Sequence, residues 1–82
     1  MDIYTFLSLS KEEQTKAIDK DDYLSERNES SFKVKLYALA DFYVEMFCTS
    51  IGEEIVKYKA FKSRRLLIPY LDNLKIEEIA NY

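Results

Sequence analysis

The chain has 82 residues, 48% of them hydrophobic, with 12 phenylalanines and tyrosines and a net charge of −3. That length fits one domain with one modest core, and the apolar content with so small a net charge excludes intrinsic disorder. No apolar run approaches the roughly 20 residues that span a bilayer, and Met1-Asp2-Ile3-Tyr4 carries neither the basic start nor the cleavage pattern of a signal peptide.

In chain order, Asp2 is placed to cap a short turn through Ile3, Tyr4, Phe6 and Leu7. Ser10-Lys11-Glu12-Glu13 reads as a capping box. The Ser10 hydroxyl can accept from the Glu13 amide while the Glu13 carboxylate reaches back to the Ser10 amide. A short surface helix is expected from Lys11 to Ile18, followed by a turn at Lys20-Asp21-Asp22. Tyr23 to Arg27 is a candidate first strand, ending in a turn at Asn28-Glu29-Ser30.

From Phe32 the hydrophobic period becomes two, the spacing of a strand. Phe32, Val34, Leu36, Ala38 and Ala40 alternate with Lys33, Lys35, Tyr37 and Leu39. After Asp41, Phe42, Val44, Met46 and Cys48 alternate with Tyr43, Glu45, Phe47 and Thr49. After Gly52, the only glycine, Val56, Tyr58 and Ala60 alternate with Ile55, Lys57, Lys59 and Phe61. A three-residue loop Ile51-Gly52-Glu53 would set Cys48 opposite Val56, Met46 opposite Tyr58, Val44 opposite Ala60 and Glu45 opposite Lys59, a favourable pair. The same rule applied to Leu39-Ala40-Asp41 sets Leu36 opposite Val44.

Ser63 can cap a last helix carrying Leu66, Leu67, Tyr70, Leu71 and Leu74. Pro69 removes a hydrogen bond from a helix interior. Either the helix kinks there or it begins near Ile68 with Pro69 in its first turn. Ile76, Ile79 and Tyr82 extend the apolar pattern. The expected fold is therefore a single α+β domain over residues 1–82: a three- or four-stranded antiparallel meander with a short N-terminal helix and a C-terminal helix packed on the sheet.

The chemistry is as telling for what is missing. There is no histidine, the commonest general acid–base group and metal ligand. With a single cysteine as well, the usual zinc sites are excluded, and one glycine cannot build a phosphate loop. The carboxylate pairs Glu12–Glu13, Asp21–Asp22, Glu53–Glu54 and Glu77–Glu78 fall in turns or helix ends, where solvated surface explains them. Cys48 falls on the face of Val44 and Met46 and reads as a buried, inert thiol. One unpaired cysteine also suits a reducing, cytoplasmic setting. No catalytic, cofactor or metal site is expected, and the chain reads as a non-enzyme.

Charge is segregated along the chain. Residues 1–31 hold eight acids and four bases, a balance of −4; residues 53–65 hold two acids and five bases, a balance of +3. The expected second face of the sheet carries Lys33, Lys35, Tyr37, Tyr43, Glu45, Phe47, Lys57, Lys59 and Phe61. Aromatics interleaved with lysines suit ring stacking on single-stranded RNA or DNA, and exposed Tyr, Phe and Arg equally suit a protein interface. If the C-terminal helix covers this face instead, its rings become core.

Leu36-Tyr37-Ala38-Leu39-Ala40-Asp41-Phe42-Tyr43-Val44-Glu45, with Tyr58-Lys59-Ala60-Phe61-Lys62-Ser63 and Leu66-Leu67-Ile68-Pro69-Tyr70-Leu71, resembles short uncharacterised proteins of phages and mobile elements of Bacteroidetes-type bacteria. The resemblance covers roughly the second half and the Phe6-Leu7-Ser8-Leu9 segment, and carries over no functional residue. It implies a setting in which small non-enzymatic proteins inhibit host defence systems.

The first expectation is thus a protein-binding module acting on a protein or ribonucleoprotein, in its sharpest form an anti-CRISPR-like inhibitor of a defence nuclease. Tyr43, Lys57, Lys59, Phe61, Arg64 and Arg65 are the candidate contact residues, with Glu12, Glu13, Asp21 and Asp22 as a rival acidic surface. A nucleic-acid-binding protein using the lysine–aromatic face is the second expectation, and a self-associating structural protein, a homodimer paired through a sheet edge or face, is the third.

Overall fold

The computed structural model describes residues 1–70. Two short helices open the chain, α1 (Ile3–Ser8) and α2 (Lys11–Ala17). Each is too short to be stable alone, so its ends and its packing decide it. The Asp2 carboxylate accepts from the Thr5 amide at 2.8 Å. At α2 both halves of the capping box form: the Ser10 amide donates to Glu13 Oε1 at 2.9 Å, and the Glu13 amide to Ser10 Oγ at 3.2 Å. That pairing holds the Glu13 carboxyl below its ordinary range. Lys20–Asp22 form a 3-10 turn capped by Asp19.

Four strands follow: β1 (Tyr23–Glu29), β2 (Phe32–Leu39), β3 (Phe42–Thr49) and β4 (Ile55–Phe61). They pair in chain order as one antiparallel meander, an α+β arrangement with the fourth strand present. β1 runs two residues further than the sequence indicates, and its turn to β2 is Ser30-Ser31, with Ser30 at φ 55°.

The register of β3 and β4 follows expectation over most of its length. Val44 faces Ala60, Glu45 faces Lys59 and Met46 faces Tyr58. At the far end a bulge intervenes, and Cys48 pairs with Ile55 rather than Val56. The connection takes Ser50–Glu54 rather than three residues. Gly52 at φ 86° and Glu53 at φ 52° make the turn, and Thr49 Oγ1 closes it by accepting from the Glu54 amide and donating to the Ile51 carbonyl.

The β2–β3 connection departs from expectation. The loop is two residues, Ala40-Asp41, with Ala40 at φ 27°, so Leu39 pairs with Phe42. Leu36 therefore faces Glu45, and Val44 faces Tyr37. One residue of slip moves a strand's side chains to the opposite face. The expected lysine–aromatic face is accordingly divided. Lys33, Lys35 and Tyr37 share a face with Val44, Met46 and Cys48; Tyr43, Glu45, Phe47, Lys57, Lys59 and Phe61 share the other with Val34 and Leu36.

Both faces are covered. On one, Phe6 from α1 is fully buried with Tyr37, Phe42 and Val44, and Ile3, Ala17, Ile18 and Tyr58 pack around them. On the other, a 3-10 helix, Arg64–Tyr70, lays Leu67 and Tyr70 on Leu36, Tyr43 and Phe61. The described part of the expected C-terminal helix is thus 3-10, with Pro69 inside it. Pro69 has no amide to donate, so this helix lacks one of its i→i+3 hydrogen bonds there. The expected positions Leu71, Leu74, Ile76, Ile79 and Tyr82 lie outside the described residues.

Candidate functional site: a cationic ledge over a buried polar clamp

The 3-10 helix repeats every three residues. Arg64, Leu67 and Tyr70 therefore form one row, facing the sheet; Arg65 with Ile68, and Leu66 with Pro69, form the other two. Burial agrees: Leu67 and Tyr70 are buried, while Leu66 is 50% and Ile68 61% exposed.

Tyr70 anchors this element. Its hydroxyl donates to Glu45 Oε2 at 2.6 Å. The same oxygen accepts from Arg27 Nη2 at 3.1 Å. Arg27 also pairs with Glu29 and stacks its guanidinium 5.6 Å from the Tyr70 ring centre. Burial, then the hydrogen bond to Glu45, raises the Tyr70 phenol above its ordinary range. The Arg27 guanidinium, held by Glu29, Tyr70 and Glu45 against the cost of its burial, is fixed as a cation. Arg27 Nε is buried with no hydrogen-bond partner among the described residues. Sequence reasoning missed this clamp. Glu45 was matched to Lys59, its true cross-strand neighbour, but its carboxylate turns to Arg27 and Tyr70.

Lys59 turns elsewhere. Its ammonium lies 5.3 Å from the centre of the Phe47 ring, and that of Lys57 lies 4.8 Å away. These are cation–π distances. Phe32 meets the same ring edge-on at 6.1 Å. Phe47 is thereby 3% exposed, and Tyr43 and Phe61, stacked at 5.5 Å beneath the 3-10 helix, are 7% and 8% exposed.

The candidate contact residues thus separate. Tyr43 and Phe61 are core and offer no surface. Lys57, Lys59, Arg64 and Arg65 are exposed, and no carboxylate pairs with them among the described residues. With Lys62, which pairs with Asp41 at 3.2 Å, they make a cationic ledge along β4 and onto the 3-10 helix. Leu66 and Ile68, named in the sequence only as helix-forming positions, add exposed apolar area beside it. The threefold spacing from Arg64 to Tyr70 around Pro69 was the signal that could have assigned them outward.

Of the rival acidic residues, Glu12, Glu13 and Asp21 are exposed and Asp22 is half-buried. Glu12 and Glu13 lie in the first turn of α2, and Asp21 and Asp22 in the 3-10 turn. α2 reaches β4 from the opposite face, where Thr15 Oγ1 meets the Tyr58 hydroxyl at 2.7 Å. The two clusters therefore belong to the covers of opposite sheet faces and do not form one site.

Little here suits covalent chemistry. Cys48 is buried beside Val44 and Met46, and desolvation raises its thiol above the ordinary value, away from a reactive thiolate. Among the described residues, no three acidic or cysteine side chains converge to hold a metal ion. No described helix is long and apolar enough to cross a membrane. The chain matches no protein-family model, no curated protein sequence and no solved structure.

Proposed function

We propose that this protein is a non-catalytic binding module that docks its cationic ledge on an acidic surface of another protein or of a ribonucleoprotein. One observation carries the reading: the rings of Tyr43, Phe47 and Phe61 are buried while Lys57, Lys59, Arg64, Arg65, Leu66 and Ile68 are exposed. A charged strip beside exposed aliphatic side chains, on an element clamped in place, has the make-up of an interface whose cations steer the encounter and whose apolar residues hold it. With those three rings buried, the expected lysine–aromatic face does not present them for stacking bases, which weighs against the single-stranded nucleic-acid reading. Lysines on the β4 edge also discourage strand-to-strand pairing, which weighs against self-association through that edge.

In its sharpest form the partner is a host defence nuclease and the protein its inhibitor, blocking a nucleic-acid channel or locking a conformation. Support for that form is the resemblance, read from the sequence alone, to phage and mobile-element proteins.

The test is capture from the lysate of a Bacteroidetes-type bacterium by wild type and by Lys57→Glu/Lys59→Glu/Arg65→Glu. A stoichiometric protein held by wild type and released by the variant is the expected result. Recovery of no such protein, or capture indifferent to the charge reversal, contradicts the reading.

A further inference from the structure

The ledge ends at a hollow of about 240 Å³ beside the Ala40-Asp41 turn. The turn and its flanking strand residues Ala38 to Tyr43 border it on one side, Lys62 and Arg64 on the other; of the strand side chains, Ala38 and Tyr43 share the sheet face of the 3-10 helix. Its cations are placed by the fold. Arg64 shares a row of the 3-10 helix with the buried Leu67 and Tyr70, and from that position it lines the hollow while remaining exposed. Lys62 follows directly on β4 and is held by Asp41. Arg64 has no carboxylate partner among the described residues.

We infer that this hollow seats the carboxylate of an aspartate or glutamate side chain from the acidic partner proposed above, on which reading the inference rests. Two cations against one carboxylate leave a single positive charge, which a monoanion balances and a phosphate dianion does not. An arginine fork with a free face binds a carboxylate through two parallel hydrogen bonds. Ala38 and Tyr43, on the same sheet face as the 3-10 helix, are the apolar neighbours available to the methylene stem that carries the carboxylate. Asp41 restrains Lys62, so the seat is partly self-competed and suits one side chain within a larger interface rather than a tight small-molecule site.

The experiment is a titration of the isotope-labelled full chain, followed through its backbone amide resonances, with an octaglutamate peptide and separately with inorganic phosphate. The peptide is expected to shift the amides of Ala40 to Tyr43 and of Lys62 saturably. Arg64→Gln should weaken that binding by about tenfold, the loss of a charge-assisted hydrogen bond, with the resonances of β1 and α2 unmoved. Asp41→Asn, which frees Lys62, should tighten it. Peptide shifts confined to Lys57 and Lys59 would overturn the seat and leave the binding module standing. No shift anywhere would overturn the seat and contradict the acidic-partner reading with it. Phosphate binding as tightly as the peptide would overturn the carboxylate assignment.

Discussion

The two faces of this sheet are covered in different ways. One lies under α1 and α2 and is held by apolar contact: Phe6 meets Phe42 at 5.8 Å and Tyr58 at 6.0 Å, with Tyr37 and Val44 buried beside them. The other lies under a single 3-10 helix, and there a carboxylate, a guanidinium and a phenol share the interior with Leu36 and Leu67. Apolar packing is non-directional and tolerates small shifts. A hydrogen-bonded ionic cluster contributes less net stability but fixes geometry, since removing any member strands the others. The contrast suggests a division of labour. The helix-covered face supplies stability; the clamped face sets the position of Arg64, Arg65, Leu66 and Ile68, which the proposed function uses.

The largest effect should come from the apolar face. Phe6→Ala empties a fully buried site and is expected to cost about 3–5 kcal/mol, a large share of the stability of a domain this small. Urea unfolding measures it. A loss below about 1 kcal/mol would mean that α1 is ornamental and that the contrast between the faces is wrong.

Glu45→Ala should cost less, about 2–3 kcal/mol, because it leaves the Arg27 guanidinium and the Tyr70 hydroxyl short of an acceptor while Arg27 keeps Glu29 and some solvent. Its signature is local: amide exchange at Leu67 and Tyr70 should accelerate more than at Phe42 or Val44. Equal acceleration on both faces would deny the clamp a positioning role.

Tyr70→Phe tests the same cluster more gently. It should cost about 1–2 kcal/mol, one hydrogen bond to a charged acceptor. It should also change the alkaline limb of stability. The phenol is raised above its usual value of 10.0 in the folded chain, so the unfolded chain ionises first. Stability from this group is complete below pH 10 and falls as the pH climbs toward the folded value. Wild type should lose stability more steeply than Tyr70→Phe above that point, read from urea midpoints at successive pH values. Parallel curves would contradict the burial of the hydroxyl.

Ser10→Ala should be smaller again, about 1 kcal/mol, from the loss of a capping box on an exposed helix. Thermal melting detects it. No change would mean that α2 is held by its contacts with the rest of the fold, the packing of Ala17 and the bonds of Lys11, Gln14 and Thr15, rather than by its cap.

Much of the fold could be read where local chemistry is explicit. Ser10-Lys11-Glu12-Glu13 announced α2, and Gly52 with the alternating charges of Lys57 and Lys59 set most of the β3–β4 register. The β2–β3 turn could not be read so. Ala40 adopts a left-handed φ without being glycine or asparagine, so the usual two-residue hairpin signal is missing. Phe42, Tyr43 and Val44 are all buried because both faces are covered, and a strand buried on both sides gives no alternation from which to fix parity. That single residue of slip separated Lys33 and Lys35 from Lys57 and Lys59; the expected aromatic surface became core because the 3-10 helix covers Tyr43 and Phe61 and the lysines and Phe32 cover Phe47. Within the candidate site, the cations of β4 and Arg64-Arg65 were legible as charge. The clamp of Arg27, Glu45 and Tyr70 was not, since it joins residues far apart in the chain through a register the sequence left open.

The most direct test sets a ring against a charge on the same face. The unfolding free energies of Tyr43→Ala and Lys57→Glu can be measured side by side in urea. With Tyr43 in the core and Lys57 on the surface, Tyr43→Ala should lose about 3–5 kcal/mol or fail to fold, and Lys57→Glu less than about 1 kcal/mol, its contact with Phe47. A Tyr43→Ala protein as stable as wild type would return the ring to the surface and contradict the account.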